Sequence, residues 1–147
     1  MKVNTKVRYG LRAMVDLAGN LGNTGILQKE ISERQLIPLK YLDSIISSLK
    51  SAGLIVNYAG KGHGYVLTRQ PEHISVYDIY RAFEPDLTQT NCQCGDDECL
   101  KGDLCPDSDF WYFLNSEIKK IMSCSTLEQL IHGQEEIIFN NDQRIHR

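Results

Sequence analysis

The fold of this chain is decided by residues 38–53, PLKYLDSIISSLKSAG. Apolar residues recur in this stretch at positions 42, 45, 46 and 49, which is the period of an α-helix, and the residues between them are mostly polar. The stretch therefore predicts an amphipathic helix with one buried and one exposed face. Pro38 suits its first turn, where a missing N–H costs nothing, and Gly53 is expected to end it.

Two further helices are predicted before this stretch. Asn4 or Thr5 can cap the first of them. Its apolar stripe has six members at helical spacing: Val7, Leu11, Met14, Val15, Ala18 and Leu21. A short second helix follows, with Leu27 and Ile31 facing inward, and the chain then turns near residues 35–37.

A small β-hairpin is predicted after Gly53, with strands at residues 54–58 and 65–67. The connecting residues 60–64, GKGHG, include Lys61 and His63, so the hairpin tip has two side chains that can be cationic. Helix, helix, turn, helix and hairpin is the element order of a winged helix-turn-helix. Other small α+β domains share this order, but a basic and polar helix face and hairpin tip favour the DNA-binding fold.

A long helix is predicted near the end of the chain, starting at Asp109. Its apolar residues have 3-4-3 spacing and form a seam: Trp111, Leu114, Ile118 and Ile121. The chain offers little else to cover this stripe, so pairing with a second copy is expected. Before it, Ser75 and Asp78 have capping-box spacing for a fourth helix. After it, Ser125 or Thr126 can cap a short last helix.

The predicted fold class is mainly α with a small β-hairpin wing. Residues 1–85 are expected to form the winged helix-turn-helix domain, and residues 86–108 a cysteine-rich loop. Residues 109–133 are expected to form the dimerisation helix and the short C-terminal helix, and residues 134–147 a flexible tail.

Charge divides the chain into two halves. Residues 1–70 contain ten Lys and Arg and four acidic residues, whereas residues 71–147 contain six basic and fifteen acidic residues. The net charge of −3 conceals this asymmetry. A basic half joined to an acidic half indicates a polyanion-binding module with a separate assembly or sensing part.

Four of the five cysteines, Cys92, Cys94, Cys99 and Cys105, lie close together in the cysteine-rich loop. A reducing compartment disfavours disulfides, so a metal or redox site is the leading interpretation. Thiolates are soft ligands that suit iron–sulfur clusters or zinc. The spacing is not that of a zinc finger, and free thiols remain a third possibility. The isolated Cys124 is expected to be a buried packing residue.

Several classes of function are disfavoured by the sequence. It contains no glycine-rich phosphate loop, Ser/His/Asp set or paired-carboxylate arrangement, so an enzyme is not expected. There is no apolar run long enough for a membrane span. The first residues do not resemble a signal peptide, and a cytoplasmic protein is expected.

Five runs of residues and the cysteine spacing match one family. The runs are residues 5–18 (TKVRYGLRAMVDLA), 31–34 (ISER), 41–42 (YL), 49–55 (LKSAGLI) and 60–67 (GKGHGYVL), followed by cysteines at 92, 99 and 105. In these features the chain resembles the Rrf-type family of bacterial winged-helix transcriptional regulators. That family includes iron–sulfur cluster regulators and nitric-oxide-sensing repressors.

The resemblance implies an iron–sulfur cluster, 2Fe–2S or 4Fe–4S, held by Cys92, Cys99 and Cys105. A histidine that serves some members as fourth ligand is replaced here by Ser108, and an aspartate that serves others from the partner subunit is replaced by Arg8. The fourth ligand is therefore expected from Cys94, Asp107, Ser108 or the partner subunit. The alternative is a winged-helix regulator with structural zinc or no metal that signals through a partner protein.

The expected partner is duplex DNA with a pseudo-palindromic operator, bound by a homodimer. The predicted contacts are exposed residues at the start of and along the third helix, one residue of the second helix, and residues of the wing and first helix that can contact phosphates. They are Arg8, Arg12, Gln28, Pro38, Lys40, Tyr41, Ser44, Lys50, Lys61 and His63. The family's wing often begins with an arginine where Ala59 stands here, so Lys61 or His63 would replace it.

Overall fold

The computed structural model describes residues 3–22, 24–60, 63–85 and 108–133. Within these ranges, helices surround one contiguous apolar core, and a two-stranded hairpin lies at its edge. This is the predicted mainly-α arrangement with a small β-hairpin. None of the described helices is long and apolar enough to cross a membrane.

The first helix, α1 (Thr5–Gly19), begins at the predicted cap. The side chain of Asn4 accepts a hydrogen bond from the backbone N–H of Lys6 at 2.9 Å, which satisfies one donor at the open end of the helix. Ala13, Met14 and Leu17 are fully buried in the core, and Leu11 is half-buried at its edge. Leu21 is exposed. Its assignment to the buried stripe is wrong because α1 ends before it.

The second helix, α2 (Gln28–Gln35), packs Ile31 into the core as predicted. Leu27 is exposed, so its inward placement is wrong. The reason is local: Leu27 is the cap residue of α2, where its backbone N–H donates to the Glu30 carboxylate at 2.7 Å. The helix ends at Leu36, which takes the left-handed conformation with φ 54°.

The third helix, α3 (Leu39–Ser51), confirms the pattern that decides the fold. Its four predicted apolar residues are all buried: Leu42, Ile45, Ile46 and Leu49. Pro38 stands immediately before the helix rather than in its first turn, and its carbonyl accepts the N–H groups of Tyr41 and Leu42 at 2.9 and 3.0 Å. Gly53 follows the helix with φ 71°, as expected for its stop.

The hairpin consists of β1 (Ile55–Asn57) and β2 (Tyr65–Leu67), which pair antiparallel with Val56 opposite Val66. On its other side, Tyr65 forms a bridge with Ile26, the segment that leads into α2. Gly64 permits this contact. Its φ is 102°, and a Cβ there would lie 2.6 Å from backbone atoms of Ile26. The hairpin is therefore attached directly to the helix-turn-helix.

The fourth helix, α4 (Val76–Arg81), has the predicted capping box. The Asp78 N–H donates to the Ser75 hydroxyl at 3.1 Å, and the Ser75 N–H donates to the Asp78 carboxylate at 2.9 Å. After α4, the ring of Phe83 lies against Gly10 of α1, where a Cβ would be only 2.3 Å from the ring. The end of α4 is thereby packed closely on α1.

The fifth helix, α5 (Ser108–Cys124), starts one residue before the predicted Asp109 and packs against α4. A last helical segment, α6 (residues 127–133), follows the predicted cap, with the Gln129 N–H donating to the Thr126 hydroxyl at 3.3 Å. Leu127 is fully buried in the same core as α1 to α4. Cys124 is exposed, so its expected burial is wrong; it lies at the end of α5, just before the chain turns into α6.

Candidate nucleic-acid interface

The exposed face of α3 lies opposite its buried stripe and is polar with one aromatic residue. Lys40, Tyr41, Ser44, Ser47 and Lys50 all have exposed side chains. Tyr41 is 55% exposed. A helix face of this kind has no role in the core, and its residue types are those that contact phosphates and base edges.

One acidic residue, Asp43, shares this face. The side-chain amide of Gln28, at the start of α2, donates a hydrogen bond to the Asp43 carboxylate. This pairing was not predicted, because the two residues are far apart in sequence and the spacing along each helix says nothing about contacts with the other helix. Gln28 therefore lies beside α3, as a DNA contact requires, with its amide already engaged by Asp43.

A cleft of about 320 Å³ separates α3 from the hairpin, and Gln28, Asp43, Lys50 and Tyr65 contribute to its walls. The ammonium group of Lys50 lies 5.9 Å from the centroid of the Tyr65 ring. Lys50 is thus held between the helix and the hairpin, where a cation over an aromatic face is stabilised. The positive charge of Lys50 therefore lies in the cleft between α3 and the hairpin.

The hairpin tip is described only in part. His63 has an exposed side chain and a φ of 57°, which turns the chain back toward β2. His63, Tyr58 and Gln28 contribute to a second cleft of about 300 Å³ on the α2 side of the hairpin. Lys61, the other predicted contact at the tip, lies outside the described residues.

The predicted arginines of α1 differ in their surroundings. Arg8 and Arg12 are both exposed. Arg12 donates a hydrogen bond to the backbone carbonyl of Gln35, and its guanidinium lies 5.7 Å from the centroid of the Tyr9 ring. Tyr9 in turn meets Tyr41 edge to face, with ring centroids 6.2 Å apart. These contacts connect α1 to the exposed face of α3 and were not predicted.

An ion pair with a buried carboxylate lies beneath this region. Asp16 on α1 is 4% exposed. Arg34 on α2 donates to its carboxylate from Nε at 3.0 Å and from Nη2 at 2.8 Å, and the Gln35 amide donates to it at 3.0 Å. The hydrogen bond to Asp16 raises the pKa of Arg34 above its ordinary value. The pair joins the two helices that precede α3.

The predicted dimer seam on α5 is broad. Trp111, Leu114 and Ile118 are half-buried, and Ile121 is 64% exposed. Phe110 and Phe113 are also exposed. At helical spacing they lie on the same side of α5 as Ile121, with Glu117 between Phe113 and Ile121. The three large apolar side chains form an uncovered row that one acidic residue interrupts.

No group of His, Cys, Asp and Glu side chains in the described ranges could hold a metal ion. The predicted ligands Cys92, Cys94, Cys99, Cys105 and Asp107 lie outside those ranges. Ser108 is the first residue of α5.

Three helices that precede a hairpin, with the third helix exposing a polar face, define the winged helix-turn-helix class of DNA-binding proteins. The chain belongs to the Rrf2 family, described as an iron-dependent transcriptional regulator, whose family model matches residues 3–133. This confirms the resemblance predicted from the sequence.

Relatives and solved structures agree with this membership. The HTH-type transcriptional regulator IscR of Serratia proteamaculans is 32% identical over 148 residues, covering 98% of this chain and 90% of that protein. The structure of T. potens IscR has a TM-score of 0.77 at 33% identity, covering 93% of this chain and 90% of the other. The structure of CymR, the global cysteine regulator of B. subtilis, has a TM-score of 0.75 at 28% identity, covering 90% of this chain and 97% of the other. These relatives are transcriptional regulators and not enzymes, and the same holds for this chain.

Proposed function

We propose that this chain is a homodimeric regulator that binds a pseudo-palindromic operator through α3. The observation that supports this most strongly is the exposed polar face of α3, with Lys40, Tyr41 and Ser44 near its N-terminal end. In helix-turn-helix proteins it is the N-terminal part of the recognition helix that reaches base edges in the major groove. The buried stripe of α3 fixes which side of the helix faces outward.

The surrounding residues fit contacts to the DNA backbone. Lys50 lies between α3 and the hairpin, and His63 lies at the exposed tip. Arg8 lies on the exposed side of α1. Lys61, by its place in the sequence, adds a further cation at the tip. Phosphate contacts of this kind set register and supply salt-dependent affinity, while contacts from α3 supply sequence preference.

Lys40→Ala tests the placement of α3. Lys40 is exposed at the second position of the helix, and the variant dimer would lose one phosphate contact in each half-site. The slope of log K against log salt should therefore be reduced by about 1.8, twice the value for one contact. Fluorescence anisotropy with a duplex selected by the wild-type protein, over a salt series, measures this slope. Lys120→Ala, the same change at an exposed position of α5, should leave the slope unchanged. Equal slopes for the wild type and Lys40→Ala would contradict the placement.

We further propose that the dimer senses redox state, iron–sulfur status or nitric oxide through a cluster on Cys92, Cys99 and Cys105. The donor set fits, because several thiolates within a short stretch suit iron–sulfur sites. The fourth ligand is proposed from Cys94, Asp107, Ser108 or the partner subunit. A bound cluster would supply a centre whose stability changes with oxygen, nitric oxide or electron transfer.

The residues around the cysteine-rich loop suggest how such a signal would reach DNA. The loop joins α4 to α5, and α4 packs against both α5 and α1. Phe83, near the start of the loop, is packed tightly on Gly10 of α1. An ordered loop would therefore influence both the dimer helix and the domain that presents α3, and so the separation of the two copies of α3.

The cysteine ligands are tested by the triple variant Cys92/Cys99/Cys105→Ala. Anaerobically purified wild-type protein should contain iron and sulfide and absorb visible light, and the variant should contain neither. Their affinities for one operator at fixed salt should differ by about 5- to 150-fold, the usual range of coupling between sites. Cys124→Ala, at an exposed cysteine outside the loop, should behave as the wild type. Stoichiometric zinc, or a colourless wild-type protein, would contradict the cluster and favour the alternative of structural zinc or no metal.

A further inference from the structure

Three side chains form a connected set at the N-terminal end of α3, here called the Arg12–Tyr9–Tyr41 stack. The Arg12 guanidinium lies over the Tyr9 ring at 5.7 Å from its centroid. The Tyr9 ring meets the Tyr41 ring edge to face, at 6.2 Å between centroids and 73° between planes. We propose that Arg12 and Tyr9 are positioning residues that hold Tyr41 in its DNA-reading orientation. This inference rests on the proposed binding of DNA by α3.

Hydrogen bonds hold the Arg12 side chain at one end of this set. Arg12 donates to the carbonyl of Gln35, the last residue of α2, where a helix leaves carbonyl groups unsatisfied. The side-chain amide of the same Gln35 donates to the buried Asp16 carboxylate at 3.0 Å, which also accepts from Arg34. Arg12 is thereby attached to the buried ion pair between α1 and α2, and its guanidinium is held in place over Tyr9.

Tyr41 needs such support because it is 55% exposed. An exposed aromatic side chain that must become ordered on binding loses rotamer freedom, and this weakens the complex. A tyrosine that is already held by a neighbouring ring avoids part of that loss. Arg12 and Tyr9 would then increase the preference for the correct base pair without touching DNA themselves.

This role differs measurably from the phosphate contact predicted for Arg12 from the sequence. A phosphate contact requires only a positive charge, and its loss lowers the salt slope by about 0.9. A positioning role requires the planar guanidinium, which donates to the carbonyl while stacking on the ring, and lysine does not reproduce that geometry. Arg12→Lys therefore separates the two roles, because it keeps the charge and removes the planar group.

The test compares two duplexes: one selected by wild-type dimer from a random library, and the same duplex with one half-site base pair exchanged. For each variant, the ratio of the affinity for the selected duplex to the affinity for the exchanged duplex is measured over a salt series. Arg12→Lys and Tyr9→Leu are each expected to lower the ratio by about 3- to 10-fold, the size of an aromatic or cation–π contact, with unchanged salt slopes. Tyr9→Phe keeps the ring and should retain the wild-type ratio.

Arg81→Lys is the matched control, the same change at an exposed position of α4 outside the proposed DNA contacts, and should leave both ratio and slope unchanged. A wild-type ratio for Arg12→Lys, or a loss of ratio in Tyr9→Phe equal to that in Tyr9→Leu, would overturn the positioning role while leaving the proposed function intact. A wild-type protein that selects no duplex would overturn both.

Discussion

Ile121→Glu is expected to convert the proposed homodimer into monomers. Ile121 is 64% exposed on the uncovered side of α5, so a charge there leaves the protomer folded but is buried without a partner when two copies meet. Central interface residues cost about 2 kcal/mol or more when lost, and a two-fold axis repeats each change, giving about 4 kcal/mol per dimer. Light scattering over a range of protein concentrations measures the effect.

A matched control lies on the same helix. Phe113→Glu alters the same uncovered row and should also give monomers, whereas Tyr112→Glu should not. Tyr112 is 80% exposed and, nine residues before Ile121, lies on the opposite side of α5 from it. Operator affinity should fall together with dimerisation, because each monomer reaches only one half-site. If Ile121→Glu and Tyr112→Glu are equally dimeric, the apolar row of α5 is not the interface.

Arg34→Ala is expected to destabilise the protein by about 3 kcal/mol. Removing one partner of a buried ion pair leaves an uncompensated charge, here the Asp16 carboxylate at 4% exposure. The value is placed at the lower end of the usual range because the Arg34 side chain is itself 38% exposed. Denaturant unfolding at one fixed protein concentration measures the change, since the stability of the proposed dimer would depend on concentration.

Lys29→Ala provides the comparison, because Lys29 pairs with Glu33 on the exposed surface of the same helix at 3.8 Å. Its loss should cost less than about 0.5 kcal/mol. Adding Asp16→Ala to Arg34→Ala should recover part of the stability, since the unpaired charge is then gone. Similar losses for Arg34→Ala and Lys29→Ala would show that the buried pair does not stabilise the α1–α2 contact.

The contribution of Arg34 to the free energy of unfolding should not vary with pH in the neutral range. The hydrogen bond to Asp16 raises the pKa of Arg34 above its ordinary value. A raised pKa means that the stabilisation is complete below the unfolded-state pKa and is lost only as pH rises through the folded-state pKa. Both lie far above neutrality for arginine.

The sequence predicted those parts of the fold that depend on short-range patterns. The buried stripe of α3, the capping box of Ser75 and Asp78, and the hairpin after Gly53 each follow from residues a few positions apart. The errors at Leu21 and Leu27 occurred at helix ends, where periodicity no longer determines burial. The predicted burial of Cys124 was wrong for a different reason. It was based on residue type alone, and cysteine is among the residues most often buried.

The candidate interface was predicted as a set of exposed residues but not as a set of contacts. The pairing of Gln28 with Asp43, and the edge-to-face contact of Tyr9 with Tyr41, join residues on different helices. Such contacts depend on how the helices pack, which the spacing along one helix does not determine. The polar character of the α3 face and the exposure of Tyr41 were predicted from the sequence, whereas the contact of Tyr41 with Tyr9 required the structure.

Placement of α3 in the major groove is tested most directly by methylation interference on the selected duplex. Dimethyl sulfate modifies guanine N7 in the major groove and adenine N3 in the minor groove. Two copies of α3 predict interference by guanine N7 methylation in two half-sites, separated by about 10–10.5 base pairs or a multiple of it. Interference confined to adenine N3, or to a single half-site, would contradict a dimer that reads DNA through α3.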